Sequence, residues 1–199
     1  IKAQPRKTLV SSIGQSFTYD KLNNRLDPTS GYYIQFSQDL AGLGGNAKYI
    51  QNQLYASYHK PLIKNKVVLH LIGRAGNITG IMGKKVNLAD HFFVGEDYIR
   101  GFDVAGIGPR SLEITPNGNT IDDALGGTTY YGATAEIHFP LGLPSELKIK
   151  GALFTDFATL YGNDAKNKVN AKINDSKNLR GSDGVGIIWD SPLGLMRLD

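Results

Sequence analysis

No cysteine occurs in the 199 residues, so the chain can build neither a disulfide framework nor a thiolate metal site. No apolar run approaches the roughly 18 residues that a membrane helix needs. That excludes a helical span, not a membrane. A spanning β-strand hides only alternate side chains in lipid, so its average hydropathy stays low, and the mean hydropathy of −0.24 is compatible with one. Charge of one sign is scarce, the net charge being +4. Lys166, Lys168, Lys172 and Lys177 lie among Asn and Asp without the interleaved aromatics that a nucleic-acid groove requires. They read as a solvated loop, and no nucleic-acid partner is expected. The opening "IKAQPRKTLV" lacks the apolar core of a secretory signal, which is expected of a chain whose leader was removed or of an internal fragment.

Catalytic signatures are missing as well. His59, His70, His91 and His138 show no metal-ligand spacing such as H-E-x-x-H, "GIGPRS" has no Walker lysine, and no G-x-S-x-G elbow occurs. The expectation is a protein that is not an enzyme, with no metal and no cofactor.

What the chain has in abundance is alternation. Apolar and polar residues swap with period two over 10–20, 32–40, 48–59, 66–76, 127–141, 147–161 and 179–189. In 127–141, for example, Thr129, Tyr131, Ala133, Ala135, Ile137 and Phe139 share one face, and Thr128, Tyr130, Gly132, Thr134, Glu136 and His138 the other. These seven segments are joined by turn-rich stretches such as "RLDPTSG" (25–31) and "AGLGG" (41–45), and no helical period exceeds a turn. The class is all-β and antiparallel.

Strands of a soluble sandwich average about 5–6 residues, and these segments are nearer the length that crosses a bilayer with tilt. Their polar faces, rich in small groups with Tyr, Gln, Glu, Asp and Arg, suit a wet lumen. Short turns at 41–46 and 142–146 contrast with long excursions at 77–126 and 162–178, the habit of outer-membrane barrels. The pattern favours a membrane barrel, with a soluble sandwich as the other reading. Such barrels usually have an even number of strands. Seven segments, followed by "SPLGLMRLD" as another alternation begins, therefore read as an incomplete set.

The stretch 77–126 is too long for an idle connection. It holds Phe92, Phe93, Val94, Tyr98, Ile99 and Phe102, and should fold onto the barrel interior. Within it "EDYIRGFDVAGIGPRS" (96–111) sets Arg100 between Ile99 and Gly101. A buried guanidinium needs a carboxylate. Glu136 and Asp156 both fall on polar faces by parity. A turn centred near 143–145 makes facing residue numbers sum to roughly 288, which sets the two carboxylates one or two inward steps apart. Spacing leaves a second reading open, in which Arg100 is solvated and the two acids line water.

The same residues carry a resemblance. "YIRGF" (98–102) followed by "GIGPR" (106–110) resembles the sixth extracellular loop of the Omp85 superfamily, and of its BamA-type branch in particular. The stretches "YDKLNNRLDPTSGYY", "ALGGTTYYGATAEIHFPL", "GALFTDFATLY" and "VGIIWDSPLG" resemble its strands in the family's order. The resemblance implies that 1–199 is the C-terminal part of a transmembrane β-barrel of about 16 strands. About seven strands would then be present, with the closing strand, the first half of the barrel and the periplasmic POTRA repeats outside the chain. It implies a long loop inserted in the lumen, with Ile99, Arg100, Gly101 and Phe102 as the anchoring motif. Glu136 and Asp156 become the partners of Arg100, and Gly106, Gly108 and Pro109 support the loop. The implied function is non-catalytic insertion of β-barrel proteins into the outer membrane of a Gram-negative bacterium. Unfolded outer-membrane proteins, accessory lipoproteins and the lipid bilayer would be its partners. A TamA-like factor or a two-partner-secretion translocator shares the loop, and a passive outer-membrane channel is the alternative of another class.

Overall fold

The computed structural model describes residues 8–63, 66–115, 117–163, 171–192 and 194–199. The period-two segments become β1 (Val10–Asp20), β2 (Gly31–Gly45), β3 (Tyr49–Ile63) and β4 (Val67–Gly80), then β7 (Thr129–Pro140), β8 (Ile149–Tyr161) and β10 (Arg180–Ser191). With β11 (Gly194–Leu198) they form one antiparallel sheet in the order β1-β2-β3-β4-β7-β8-β10-β11. Three short strands, β5 (Arg110–Ile114), β6 (Thr120–Ala124) and β9 (Ala171–Asn174), make a second sheet in the order β6-β5-β9. Among the described residues no helix is long and apolar enough to cross a membrane.

The faces of the large sheet are inverted relative to a soluble protein. Phe17, Leu153 and Val185 are 62%, 50% and 69% exposed, whereas Glu136 and Asp156 are 6% and 1% exposed. On β7 and β8, where the long excursion packs, alternation has sorted apolar side chains onto the open face and these acids beneath cover.

The structure departs from the sequence reading in three places. First, "AGLGG" is not a turn: β2 runs on through Gly45, which pairs with Val10 across a register irregularity between Val10 and Ser12. A bulge absorbs the small residues that composition reads as a break. Second, the sheet counts eight strands, because the alternation beginning in "SPLGLMRLD" pairs as β11 with β10, Trp189 facing Met196. Third, the long excursions contain strands of their own. The hairpin β5–β6 lies within 77–126, and β9 pairs with β5, Lys172 opposite Leu112. Strands of four or five residues are too short for a period to declare itself. Of the lysines read as a solvated loop, Lys166 and Lys168 lie outside the described residues, as do residues 1–7 of the opening stretch. Lys177 Nζ sits 5.0 Å from the centre of the Tyr161 ring.

The principal apolar cluster is a seam between the long excursion and the wall. Val94, Ile99 and Ile107 of the excursion pack on Tyr130 of β7 and on Ala158 and Leu160 of β8, with Phe92, Tyr98 and Phe102 against them.

Candidate functional site

The loop reaches the wall by local chemistry. Tyr98 and Ile99 both donate their backbone N–H to Gly95 O, closing a tight turn that presents Ile99 inward. Ile99 is fully buried. Val94 bridges Ile107 and Phe92 bridges Gly127, stapling the loop to itself and to the entry of β7. Gly101 has φ +80° with open space where a Cβ would stand. It serves the turn, not a close approach. Gly108 has φ +115°, and a Cβ there would lie 2.5 Å from Leu160 Cδ2, so here the backbone itself touches the wall. Pro109 is fully buried, and its carbonyl accepts from Leu125 N–H. A Cβ at Gly106 would meet the Asp103 carbonyl at 2.8 Å. Phe102 is half-buried at the margin of the apolar seam.

Arg100 lies between two carboxylates. Its Nε and Nη2 donate to Asp156 Oδ2 and Oδ1 at 2.7 and 2.8 Å, and its backbone N–H reaches Oδ2 at 3.2 Å. Its Nη1 donates to Glu136 Oε2 at 2.7 Å. The guanidinium carbon lies 3.4 Å from the centre of the Phe154 ring, a stacked cation–π contact. Burial alone would discourage the charge, but the hydrogen bonds to Asp156 and Glu136 outweigh it and hold the guanidinium more firmly protonated than usual. The ladder pairs Glu136 with Phe154 and Thr134 with Asp156, so facing numbers sum to 290, not to roughly 288. The two acids are diagonal neighbours, one inward step apart along the strands, and one planar fork spans them.

Sequence reasoning missed three members of this cluster. Arg197 of β11 grips Glu136 with both nitrogens, Nη1 to Oε1 at 2.6 Å and Nη2 to Oε2 at 2.9 Å. Its Nε donates to Asp199 at 2.5 Å, and Asp199 stands 3.7 Å from Arg100 Nη1. His138 Nε2 also bonds Glu136 Oε1. A row of imidazoles continues from there, with the His138 ring tilted against that of His70 at 3.9 Å between centres and His70 Nδ1 2.7 Å from His59 Nδ1. The ladder pairs His59 with His70, so their positions on the consecutive strands β3 and β4 were the available signal. No such signal existed for Arg197, because its partner is three strands away in the sheet order. Among the described residues no group of three or more His, Asp and Glu could hold a metal ion.

An all-β wall with long strands, an apolar open face and a loop pinned to its polar face by an RGF arginine defines a class. The chain belongs to the Omp85 superfamily, whose domain model matches residues 1–199. It is 39% identical to the outer membrane protein assembly factor BamA of Neorickettsia risticii over 199 residues, 100% of this chain and 25% of that protein. It is 27% identical to sorting and assembly machinery component 50 homolog A of Xenopus laevis over 143 residues, 71% of this chain and 28% of that one. Its fold matches the crystal structure of Haemophilus ducreyi BamA lacking POTRA domains 1–3, with a TM-score of 0.79 and 24% identity over 94% of this chain and 37% of that chain. The chain thus spans between about a quarter and two fifths of the proteins it matches.

Proposed function

We propose that this chain is the C-terminal part of an Omp85 barrel of the assembly-factor type, in the outer membrane of a Gram-negative bacterium. In this reading the open apolar face meets lipid and the loop-bearing face lines the lumen. The full-length protein, with POTRA repeats outside these residues, helps unfolded outer-membrane proteins to fold into the bilayer, together with accessory lipoproteins. The 39% identity to an outer membrane protein assembly factor across the whole chain supports it, and so does a relative named for sorting and assembly.

The physical task is to satisfy the backbone polar groups of an incoming strand before lipid surrounds them, for which a sheet edge is the natural template. Nothing in that task requires bond-making. Glu136 and Asp156 are unsuited to acid–base work, since the oxygens of both are occupied by arginine contacts. Their work is mechanical. Arg100 ties the loop to β7 and β8 and stiffens the wall around them.

The observation that carries this reading is the three-point hold of Arg100 on Asp156 and Glu136. Its test is Arg100→Ala in the full-length protein reconstituted into lipid vesicles. The variant is expected to have a lower melting temperature and to accelerate folding of an added unfolded barrel protein less than the parent does. Unchanged melting and unchanged acceleration would remove the strut.

A further inference from the structure

Two arginines share one buried carboxylate, and their geometry is unequal. Arg197 occupies both oxygens of Glu136, whereas Arg100 places one nitrogen there and commits its Nε and Nη2 to Asp156. With the loop docked the Glu136 side chain is 7% exposed and that of Asp156 is 2% exposed, so both acids are held by their cation partners rather than by water. Arg197 comes from β11 of the wall, Arg100 from the loop. Withdrawal of the loop would therefore leave Glu136 neutralised and hydrogen-bonded by Arg197, and Asp199 too would keep its Arg197 contact. Among the described residues Asp156 alone would lose its guanidinium partner.

We infer that Arg197 is a stand-in cation that makes docking of the loop reversible, by keeping Glu136 paired when Arg100 departs. This rests on the reading of the loop as an anchored strut. It adds that the strut is built to be released, with Asp156 as the latch and the Glu136–Arg197 pair as the rest that remains in the wall. Removing one partner of a buried pair is strongly destabilising because it strands the other. Arg197 removes that penalty from the released state at Glu136, and so lowers the free-energy gap between docked and released loop. The consequence has an unusual sign. Deleting Arg197 should make the loop harder to release, even though it loosens the strand that Arg197 sits on. A merely structural arginine would loosen both.

Hydrogen–deuterium exchange on the full-length protein folded in detergent micelles reads the two segments separately. In Arg197→Met, exchange in the loop peptide 96–104 is expected to slow by about ten-fold while exchange in 194–198 speeds up. Arg197→Lys, which keeps the charge, should restore the parental loop rate. In Asp156→Asn the loop peptide should exchange faster. The double variant Arg100→Ala/Arg197→Met should lose more stability than the two single losses added, because only then is Glu136 without a guanidinium. Loop exchange that is unchanged or faster in Arg197→Met overturns the inference, as does additivity. If Arg197→Met does not fold, Arg197→Gln keeps a donor without the charge and is judged by the same sign. Arg100→Ala keeps the two ideas apart. If it leaves loop exchange at the parental rate, the strut reading itself fails. If it releases the loop while Arg197→Met does not slow exchange, only the stand-in role falls.

Discussion

The two faces of the eight-stranded sheet are made from the same strands, yet they are held by different forces. On the open face Ile34, Ala56, Gly73, Ala133 and Phe157 lie in one ladder row from β2 to β8, and nothing in that row is charged. On the other face the row His59, His70, Glu136, Phe154 crosses from β3 to β8 and is almost wholly polar or aromatic. The open face asks only that its side chains be apolar, since lipid tolerates any shape. The loop-bearing face asks for particular partners, because each buried charge must find its opposite within hydrogen-bond reach. One face is specified by composition, the other by geometry.

That contrast makes substitutions of similar size behave differently. The largest effect should come from Asp156→Ala, which takes away the bonds of Arg100 Nε, Nη2 and backbone N–H and leaves the guanidinium its bond to Glu136, and is expected to cost about 3–5 kcal/mol. Thermal unfolding of the full-length barrel, followed by loss of its compact electrophoretic form, would measure it, and a loss below about 1 kcal/mol would blur the distinction. Next comes charge on the wrong side. Leu153→Arg on the open face should cost about 2–4 kcal/mol in a bilayer if it lies near mid-depth, and less near an interface. No loss relative to Leu153→Ala in lipid would deny that this face meets hydrocarbon. Gly108→Ala tests the close approach of the loop. With φ +115° and Leu160 in the way, it is expected to cost about 1–3 kcal/mol, visible as a lower melting temperature and easier proteolysis of the loop. Smallest of all should be Leu153→Ala, within about 0.5 kcal/mol, where the parent side chain is half exposed. A large loss there would show that the open face is packed against protein.

Much of this was legible from the chain. All seven long strands follow from period two, and so does the side on which Glu136 and Asp156 stand, because parity survives an error of two residues in register. The ladder sum of 290 in place of roughly 288 shifts partners along the strand without changing their face. The RGF loop was legible for a different reason, since Arg100 among Ile99, Gly101 and Phe102 fits no period and demands an explanation. The hairpin β5–β6, strand β9 and the continuation of β2 through "AGLGG" were not legible. Four or five residues carry too little pattern, and small residues look like a turn until a neighbouring strand pairs with them.

Arg197 marks the boundary. Alternation shows another strand beginning within "SPLGLMRLD", but nothing local ties its arginine to Glu136, 61 residues earlier. Periodicity is a property of neighbours along the chain, so the sequence by itself determined the seven long strands and their two faces, and singled out Arg100 as the residue that fits neither. Which cations share Glu136 depends on where long side chains end after four strands have been laid side by side, a distance no spacing encodes. Only the tertiary structure decided that.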